Sequence, residues 1–435
     1  MSPARRTTSL GRGRSRVRRN TGNAMLDLYS VKTQIDRMVE DERLQQADYA
    51  EKLSMAQREL RRWADDWPQL AEKINQSRTS WLMPGLLESP TARHPLPARP
   101  EHLSVAATDG SQIFPDRHEI SACFLINIGY ILLHYGTGEK PLMSSRPTLY
   151  YKDEDLFEEW GGRKLFANRD MVGFKRGLME FTELTELALA ASDEGHRVVA
   201  LSDGTLILWN LEGKPQDFRE GYLRTTLDAM EELRQARLPV AGYISSPGSQ
   251  EVVNALKLGL CPLEAADCDR CPWKGENQFG MTEEEVSRLE AGLWQGRGLP
   301  CSPLDGVTDA VLLRNLLKEG ERTGLYRSTS KILDEFGDHR IYFFYVHVGA
   351  EIGRVEVPQW VAEDPELLDL VHACIYDQAE KGQGYPVSLS EAHERAVVRG
   401  ADREAFYRFL RETFVKNDIR ASISTKSFKK RHAGI

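Results

Sequence analysis

Hydrophobic and polar positions along the chain fall into two regimes that meet near residue 100. Between residues 25 and 75, Leu28, Val31, Ile35, Met38 and Val39 recur at helical spacing, and Glu, Gln and Arg fill much of the rest. The spacing predicts a helical segment, bounded as 23–83, in the form of a long α-hairpin. Before it, residues 1–22 hold Arg, Ser, Thr and Gly with almost nothing to bury, and read as a disordered tail. After it, Pro84, Pro90, Pro95, Pro97 and Pro100 mark 84–100 as a linker.

From 101 to 415 short apolar runs alternate with amphipathic ones. Strands are expected at 103–108, within the apolar run 121–135 as one or two strands, and at 196–202, 240–245, 341–348 and 353–357. Helices are expected at 170–191, 219–237, 249–258, 363–381 and 388–415. Alternation of this kind implies an α/β fold with a mixed sheet flanked by helices. A polar insert runs from Cys261 to Cys301, and residues 416–435 form a second tail.

Composition narrows the class. Of the 435 residues 41% are hydrophobic and 28% charged, which are globular values. No stretch reaches the ~18 apolar residues of a membrane span. The N-terminus lacks the apolar run of a signal peptide, so the expected location is the cytoplasm. The net charge of −8 argues against a protein that coats nucleic acid by bulk charge. Positive charge collects instead in the tails, at Arg5, Arg6, Arg12, Arg14, Arg16, Arg18 and Arg19, and at Lys426, Lys429, Lys430 and Arg431. Such tails either touch phosphates or are simply solvated.

The informative feature is an echo. Val105-Ala-Ala-Thr-Asp109-Gly-Ser and Val199-Ala-Leu-Ser-Asp203-Gly-Thr each read as a strand ending in Asp-Gly. A single Asp-Gly is a common turn signal, but two side by side would set two carboxylates together, and that is unfavourable without a cation between them. Mg²⁺ and Mn²⁺ take oxygen ligands and activate water for phosphodiester hydrolysis. Glu180, Glu183 and Glu186 precede the second strand at i, i+3 spacing, so any of them could add a ligand; the bland alternative is a solvated helix face. Late in the chain, Ser388 or Ser390 would start a helix carrying His393 and Glu394. A His there suits metal ligation or proton donation, or is structural.

Four of the six cysteines fall in the spacing C-x6-C-x2-C-x29-C, as Cys261, Cys268, Cys271 and Cys301. Four thiolates would staple a polar insert around zinc or an iron–sulfur cluster; thiols without metal are the alternative. Cys123 and Cys374 read as packing residues.

The ordered set Asp109-Gly-Ser-Gln-Ile-Phe-Pro-Asp-Arg-His118, Asp203-Gly-Thr-Leu206, Phe343-Phe-Tyr345 with Arg354-Val-Glu-Val-Pro358, and Gly384-Tyr-Pro with Glu391-Ala-His393-Glu394 resembles the NurA nuclease family over roughly 100–415. The resemblance implies an RNase H-like core, Mn²⁺-preferring (or Mg²⁺-using) exo- and endonuclease activity on DNA, a homodimer, and partnership with the hexameric ATPase HerA in processing DNA ends. It implies metal ligation by Asp109 and Asp203, and site roles for Tyr385 and His393. It also implies a Glu on the preceding helix, where Glu180 fits best behind Lys175-Arg176 and Glu183 stays open. A non-catalytic scaffold partner of a DNA-translocating ATPase is the competing reading, and a phosphatase or nucleotide hydrolase a third. The chain has no GxxxxGK[ST] phosphate loop, so ATP hydrolysis would fall to a partner.

Overall fold

A computed structural model describes residues 27–115, 121–160, 163–274 and 299–419. The two basic tails, His118 and the middle of the insert lie outside these residues. The chain divides into two units, Met1–Glu51 and Lys52–Ile435. In the first, the described residues form the opening turns of helix α1 (Leu28–Arg62), with Leu28, Tyr29, Ile35, Met38 and Val39 exposed.

The second unit holds the last turns of α1, helix α2 (Trp67–Gln76) and one large sheet. Its strands in chain order are β1 (Pro84–Leu86), β2 (Arg93–His94), β3 (Leu103–Ile113), β4 (Phe124–Tyr135) and β5 (Leu142–Tyr150), followed by β8 (Val198–Asp203), β9 (Val240–Ile244), β10 (Arg322–Thr323), β11 (Tyr326–Ser328), β12 (Ile341–His347) and β13 (Ile352–Pro358). A separate hairpin pairs β6 (Phe157–Trp160) with β7 (Arg163–Phe166). The main order is β1-β11-β12-β13-β9-β8-β3-β4-β5, with β10 pairing β12 and β2. Strands β3–β8 and β8–β9 pair in parallel, and the other pairs are antiparallel. Within it, β5-β4-β3-β8-β9 is the RNase H-like arrangement: an antiparallel meander followed by two parallel strands reached through helices.

Those helices are α4 (Arg169–Asp193) and α5 (Gln216–Gln235), which follow the short α3 (Asp153–Leu156). α4 forms because Met171, Phe174, Phe181, Leu184, Ala188 and Ala191 line one side, and Asn168 caps its start by accepting from the Met171 N–H at 3.0 Å. Its apolar side packs on Ala106, Val198 and Ala200 with α5. The opposite face of the sheet, bearing Val105, Ala107, Val199 and Leu201, is covered by α9 (Pro365–Lys381) and α10 (Val387–Ala396). Cover on both faces explains the near-continuous burial of β3, β8, β12 and β13. The remaining helices are α6 (Glu251–Leu260), α7 (Asp309–Arg314), α8 (Gln359–Ala362) and α11 (Gly400–Lys416). No helix among the described residues is long and apolar enough to cross a membrane.

Several expectations need correction. The segment 84–100 is not a plain linker, because β1 and β2 join the sheet through β11 and β10. Its prolines fall at a strand's first residue or between short strands, where no ladder donor is lost. The run 121–135, which allowed one strand or two, holds one, at Phe124–Tyr135. The helix expected over 388–415 is broken at 397–399, where the Val398 N–H donates to Ser111 Oγ at 3.1 Å instead of continuing the helix. Neither Ser388 nor Ser390 starts α10; Pro386 stands at its N-cap, and Ser388 is buried.

Gly129 on β4 sets how closely α10 lies on the sheet. A Cβ there would come within 2.4 Å of the Ala396 nitrogen and 2.5 Å of the Ala392 carbonyl oxygen. Asn127 Nδ2 donates to the Ala396 carbonyl at 2.8 Å beside it. Gly129→Ala should therefore lower stability by about 1–3 kcal/mol through overpacking, measured by urea denaturation. Parental stability in that variant would show that α10 does not bear on Gly129.

Candidate active site

Asp109 and Asp203 share a face by strand parity. β3 and β8 run parallel in the register Ala107↔Leu201 and Thr108↔Ser202, and both Asp residues come one step beyond the last pair. Side chains at 105, 107 and 109, and at 199, 201 and 203, therefore point to the α9–α10 side. Asp203 ends its strand as expected, and Gly204 turns the chain with φ +91°. Asp109 does not end its strand: β3 continues to Ile113, paired with β4 throughout. Gly110 thus serves clearance rather than a turn. A Cβ there would lie 2.4 Å from Glu180 Oε1 and 2.8 Å from Arg176 Cγ.

Through that gap Glu180 reaches the carboxylates from the other face of the sheet. Its own carbonyl accepts from Thr108 Oγ1 at 2.9 Å, which locks α4 to β3. Burial pushes the Glu180 carboxyl up to about 7; Asp109 and Asp203 push the same way, against Arg176 and a backbone hydrogen bond from Gly110. Arg176 Nε sits 2.9 Å from Glu180 Oε1, and Arg176 also donates to Gln112 at 3.0 Å. Asp203, exposed at the end of its strand, is raised too, by partial desolvation and by Asp109, against a hydrogen bond from Tyr385 and the nearby His393. Burial and Asp203 raise Tyr385, so its hydroxyl stays protonated. Asp109 Oδ2 pairs with His393 Nδ1 at 2.6 Å, and Oδ1 accepts from the Gly110 N–H at 2.7 Å. The imidazole is otherwise open to solvent, its side chain 61% exposed.

All five residues singled out in the sequence, Asp109, Asp203, Glu180, Tyr385 and His393, thus meet at one place. Glu183 does not: it pairs with Arg146 at 2.6 Å, and Glu186 is exposed. Beside Asp203 and Glu180 opens a cleft of about 320 Å³, with Trp209 and Tyr222 among its walls.

The loop after Asp203 is held by groups that sequence reasoning left without a role. Glu356 Oε2 accepts from Thr205 Oγ1 at 2.7 Å and from the Leu206 N–H at 2.9 Å. Glu356 is bound in turn by Arg354 at 2.9 Å, which also pairs with Glu251 at 2.7 Å, and all three are buried. The Arg354-Val-Glu-Val-Pro358 run carried the signal, but its target lies 150 residues away.

The sequence pattern that defines the NurA domain matches residues 103–398. The chain belongs to the NurA family. Among solved structures it resembles the NurA nuclease from Sulfolobus solfataricus, with 11% identity, 91% of this chain and 98% of that one covered, and a TM-score of 0.47. It also resembles a NurA bound to dAMP and manganese, with 15% identity, coverage of 87% and 95%, and a TM-score of 0.33. No functionally curated protein matches it in sequence. The NurA match spans Asp109, Glu180, Asp203, Tyr385 and His393 alike.

The donor set suits a hard divalent cation. Three carboxylates converge, two of them, Glu180 and Asp203, with raised proton affinity, and Glu180 Oε1 is buried without a well-aligned hydrogen bond. A second group, His134, Glu139 and His196, gathers its donor atoms within 4.8 Å at the opposite end of β3, where His134 pairs with Ser104 at 2.8 Å. The sequence reading did not single it out, and it is remote from Asp109.

The Glu180 carboxyl has a pH consequence. Its folded value of about 7 stands above the ordinary 4.5, so unfolding releases a proton and stability falls as pH rises between the two. In EDTA, wild type should lose up to about 3 kcal/mol relative to Glu180→Gln across that window. A pH-independent difference between the two proteins would remove Glu180 from the cluster.

Proposed function

We propose that this NurA-family chain is a metal-dependent DNA nuclease with exo- and endonuclease activity. The observation that carries this reading is the convergence of Asp109, Asp203 and Glu180 just beyond the β3–β8 ladder, with His393 on Asp109. Asp109, Asp203 and Glu180 are the residues that would hold Mn²⁺ or Mg²⁺, with His393 beside them. A cation bound there supplies Lewis acidity to the phosphodiester and makes water a better nucleophile at neutral pH.

The chain's own groups do the rest. Tyr385 donates to Asp203 and fixes the direction of its carboxylate. Asp109 holds His393 by Nδ1, which leaves Nε2 to hand a proton to the leaving oxygen or to join the ligand set. Arg176 limits the repulsion that Glu180 adds. Trp209, 37% exposed at the cleft, offers a face on which a base can stack. Family membership supports a homodimer working with a HerA-type hexameric ATPase on DNA ends, in the cytoplasm.

End-labelled linear and circular DNA, incubated with Mn²⁺, Mg²⁺ or EDTA, tests the activity. Asp109→Asn and Asp203→Asn should each reduce metal-dependent cleavage roughly 100-fold or more, because each removes a cation worth several kcal/mol in the transition state. Wild-type cleavage by either variant would take that residue out of the site. His393→Ala should cut kcat by about 100-fold while DNA affinity holds; equal loss of affinity would make the residue a structural one. Light scattering should give a dimer, and it should co-elute with such an ATPase. A monomer that does not would defeat the assembly reading alone.

A further inference from the structure

The four cysteines of the insert are not used by the nuclease chemistry, yet the fold brings them together. Cys261 caps the C-terminus of α6. Cys268 donates its N–H to the Arg78 carbonyl at 2.9 Å, next to the bridge between Arg78 and Asp267. Cys301 opens the turn Ser302–Leu304. These points are far apart in sequence, and still Cys261, Cys268, Cys271 and Cys301 line one cavity, walled also by Trp81 and Trp273.

The charged surroundings are positive on balance. Lys73 Nζ donates to the Cys261 carbonyl at 2.5 Å and Lys274 Nζ to the Cys268 carbonyl at 2.7 Å. Lys257, its side chain only 7% exposed, lies against Trp81 and pairs with Asp305. Three ammonium groups, set against Asp305 and the lining Asp267, leave the surroundings of this apolar-walled cavity slightly positive, which suits a centre of net negative charge. Four thiolates on a dipositive metal core carry about −2.

Spacing separates the two candidate metals. A tetrahedral zinc site with Zn–S of about 2.3 Å draws every pair of sulfurs to about 3.8 Å and leaves no room between them. Among the described residues, the metal-binding side chains gathered three or more within 4.8 Å are His134, Glu139 and His196, and not these sulfurs. Here the four surround a space instead. A cluster that places each thiolate on a different iron holds the sulfurs further apart and fills such a space with iron and sulfide. We propose that Cys261, Cys268, Cys271 and Cys301 hold an iron–sulfur cluster that ties the C-terminus of α6 to the segment around Arg78. All four ligand positions are filled by protein, so the cluster is a structural staple, and its binding energy stabilises a polar segment with little core of its own.

The test uses full-length protein purified without oxygen, assayed for iron, acid-labile sulfide and zinc, with its visible spectrum. The expected result is a brown protein with thiolate-to-iron absorbance near ~400 nm and about four iron and four sulfide per chain. Cys268→Ala should lose the colour, and Cys123→Ala should keep it. Stoichiometric zinc without iron would overturn the cluster, and absence of both metals would overturn the site. Because wild-type metal content is the primary readout, a variant that fails to fold leaves the test intact. No arm depends on DNA cleavage, so this proposal and the nuclease reading fail separately.

Discussion

The parallel pairing of β3 with β8 is the constraint on which the site depends. Its register ends at Thr108↔Ser202, and the next residue on each strand is an aspartate on the same face. A slip of one residue would turn either carboxylate to the other side of the sheet. That register is fixed by burial on both faces: Val105, Ala107, Val199 and Leu201 pack under α9 and α10, and Ala106, Val198 and Ala200 under α4 and α5. The apolar alternation that stabilises the sheet is therefore the same alternation that aims the acids. The cost is repulsion between converging like charges in partly desolvated surroundings, felt in the raised proton affinities of Glu180 and Asp203.

Two glycines turn a sheet edge into a site fed from both faces. Gly129, opposite Asp109 in the β3–β4 register, lets α10 lie close enough for His393 to reach Asp109. Gly110, the next residue on β3, gives clearance to Glu180 from α4. Hydropathy carries no sign of either role, since both glycines sit within strands where a side chain would otherwise be tolerated. The echo of two strand–Asp-Gly runs made the two acids legible in the sequence. It also suggested that both glycines serve turns, which holds for Gly204 and fails for Gly110. The spacing of glutamates on α4 left three choices open, and only packing separates them: Glu183 is drawn to Arg146 on β5, while Glu180 faces Gly110. The prolines of 84–100 misled because the strands between them are only two or three residues long, shorter than any periodicity can register.

Behind Asp203 stands a buried ionic layer. Arg354 bridges Glu356 and Glu251, and lies over the Phe343 ring at 3.7 Å. Asp309 accepts from the Val252 and Val253 N–H groups, capping the start of α6, and from Tyr345; burial and Glu251 raise its carboxyl above the usual range. Buried ion pairs are weak sources of net stability, because desolvation offsets much of the attraction. What this layer supplies is position: Glu356 holds both Thr205 and Leu206, so the chain leaving Asp203 has one path. The same α6 that presents Glu251 at one end carries Cys261 at the other, which places the cysteine cavity and the loop behind Asp203 on one helix.

On the proposed nuclease reading, charge state and metal affinity would be coupled through Glu180. Without a cation, its carboxyl near pH 7 is divided between the neutral and charged forms, and the neutral form relieves the two aspartates. On the same reading, a divalent cation at this site would favour the charged form, and apparent affinity would rise with pH until Glu180 is ionised. Arg176 moderates this without cancelling it, since it pairs with one oxygen and is itself shared with Gln112. Removing Arg176 would raise the proton affinity further and push metal binding to higher pH; moving it closer would hold Glu180 ionised but compete with the cation for its oxygen. On that reading, the intermediate arrangement would let the carboxylate exchange a proton for a metal near neutral pH. α4 also brings a compensating cation of its own, because Arg176 lies one helical turn from Glu180 and pairs with it at 2.9 Å.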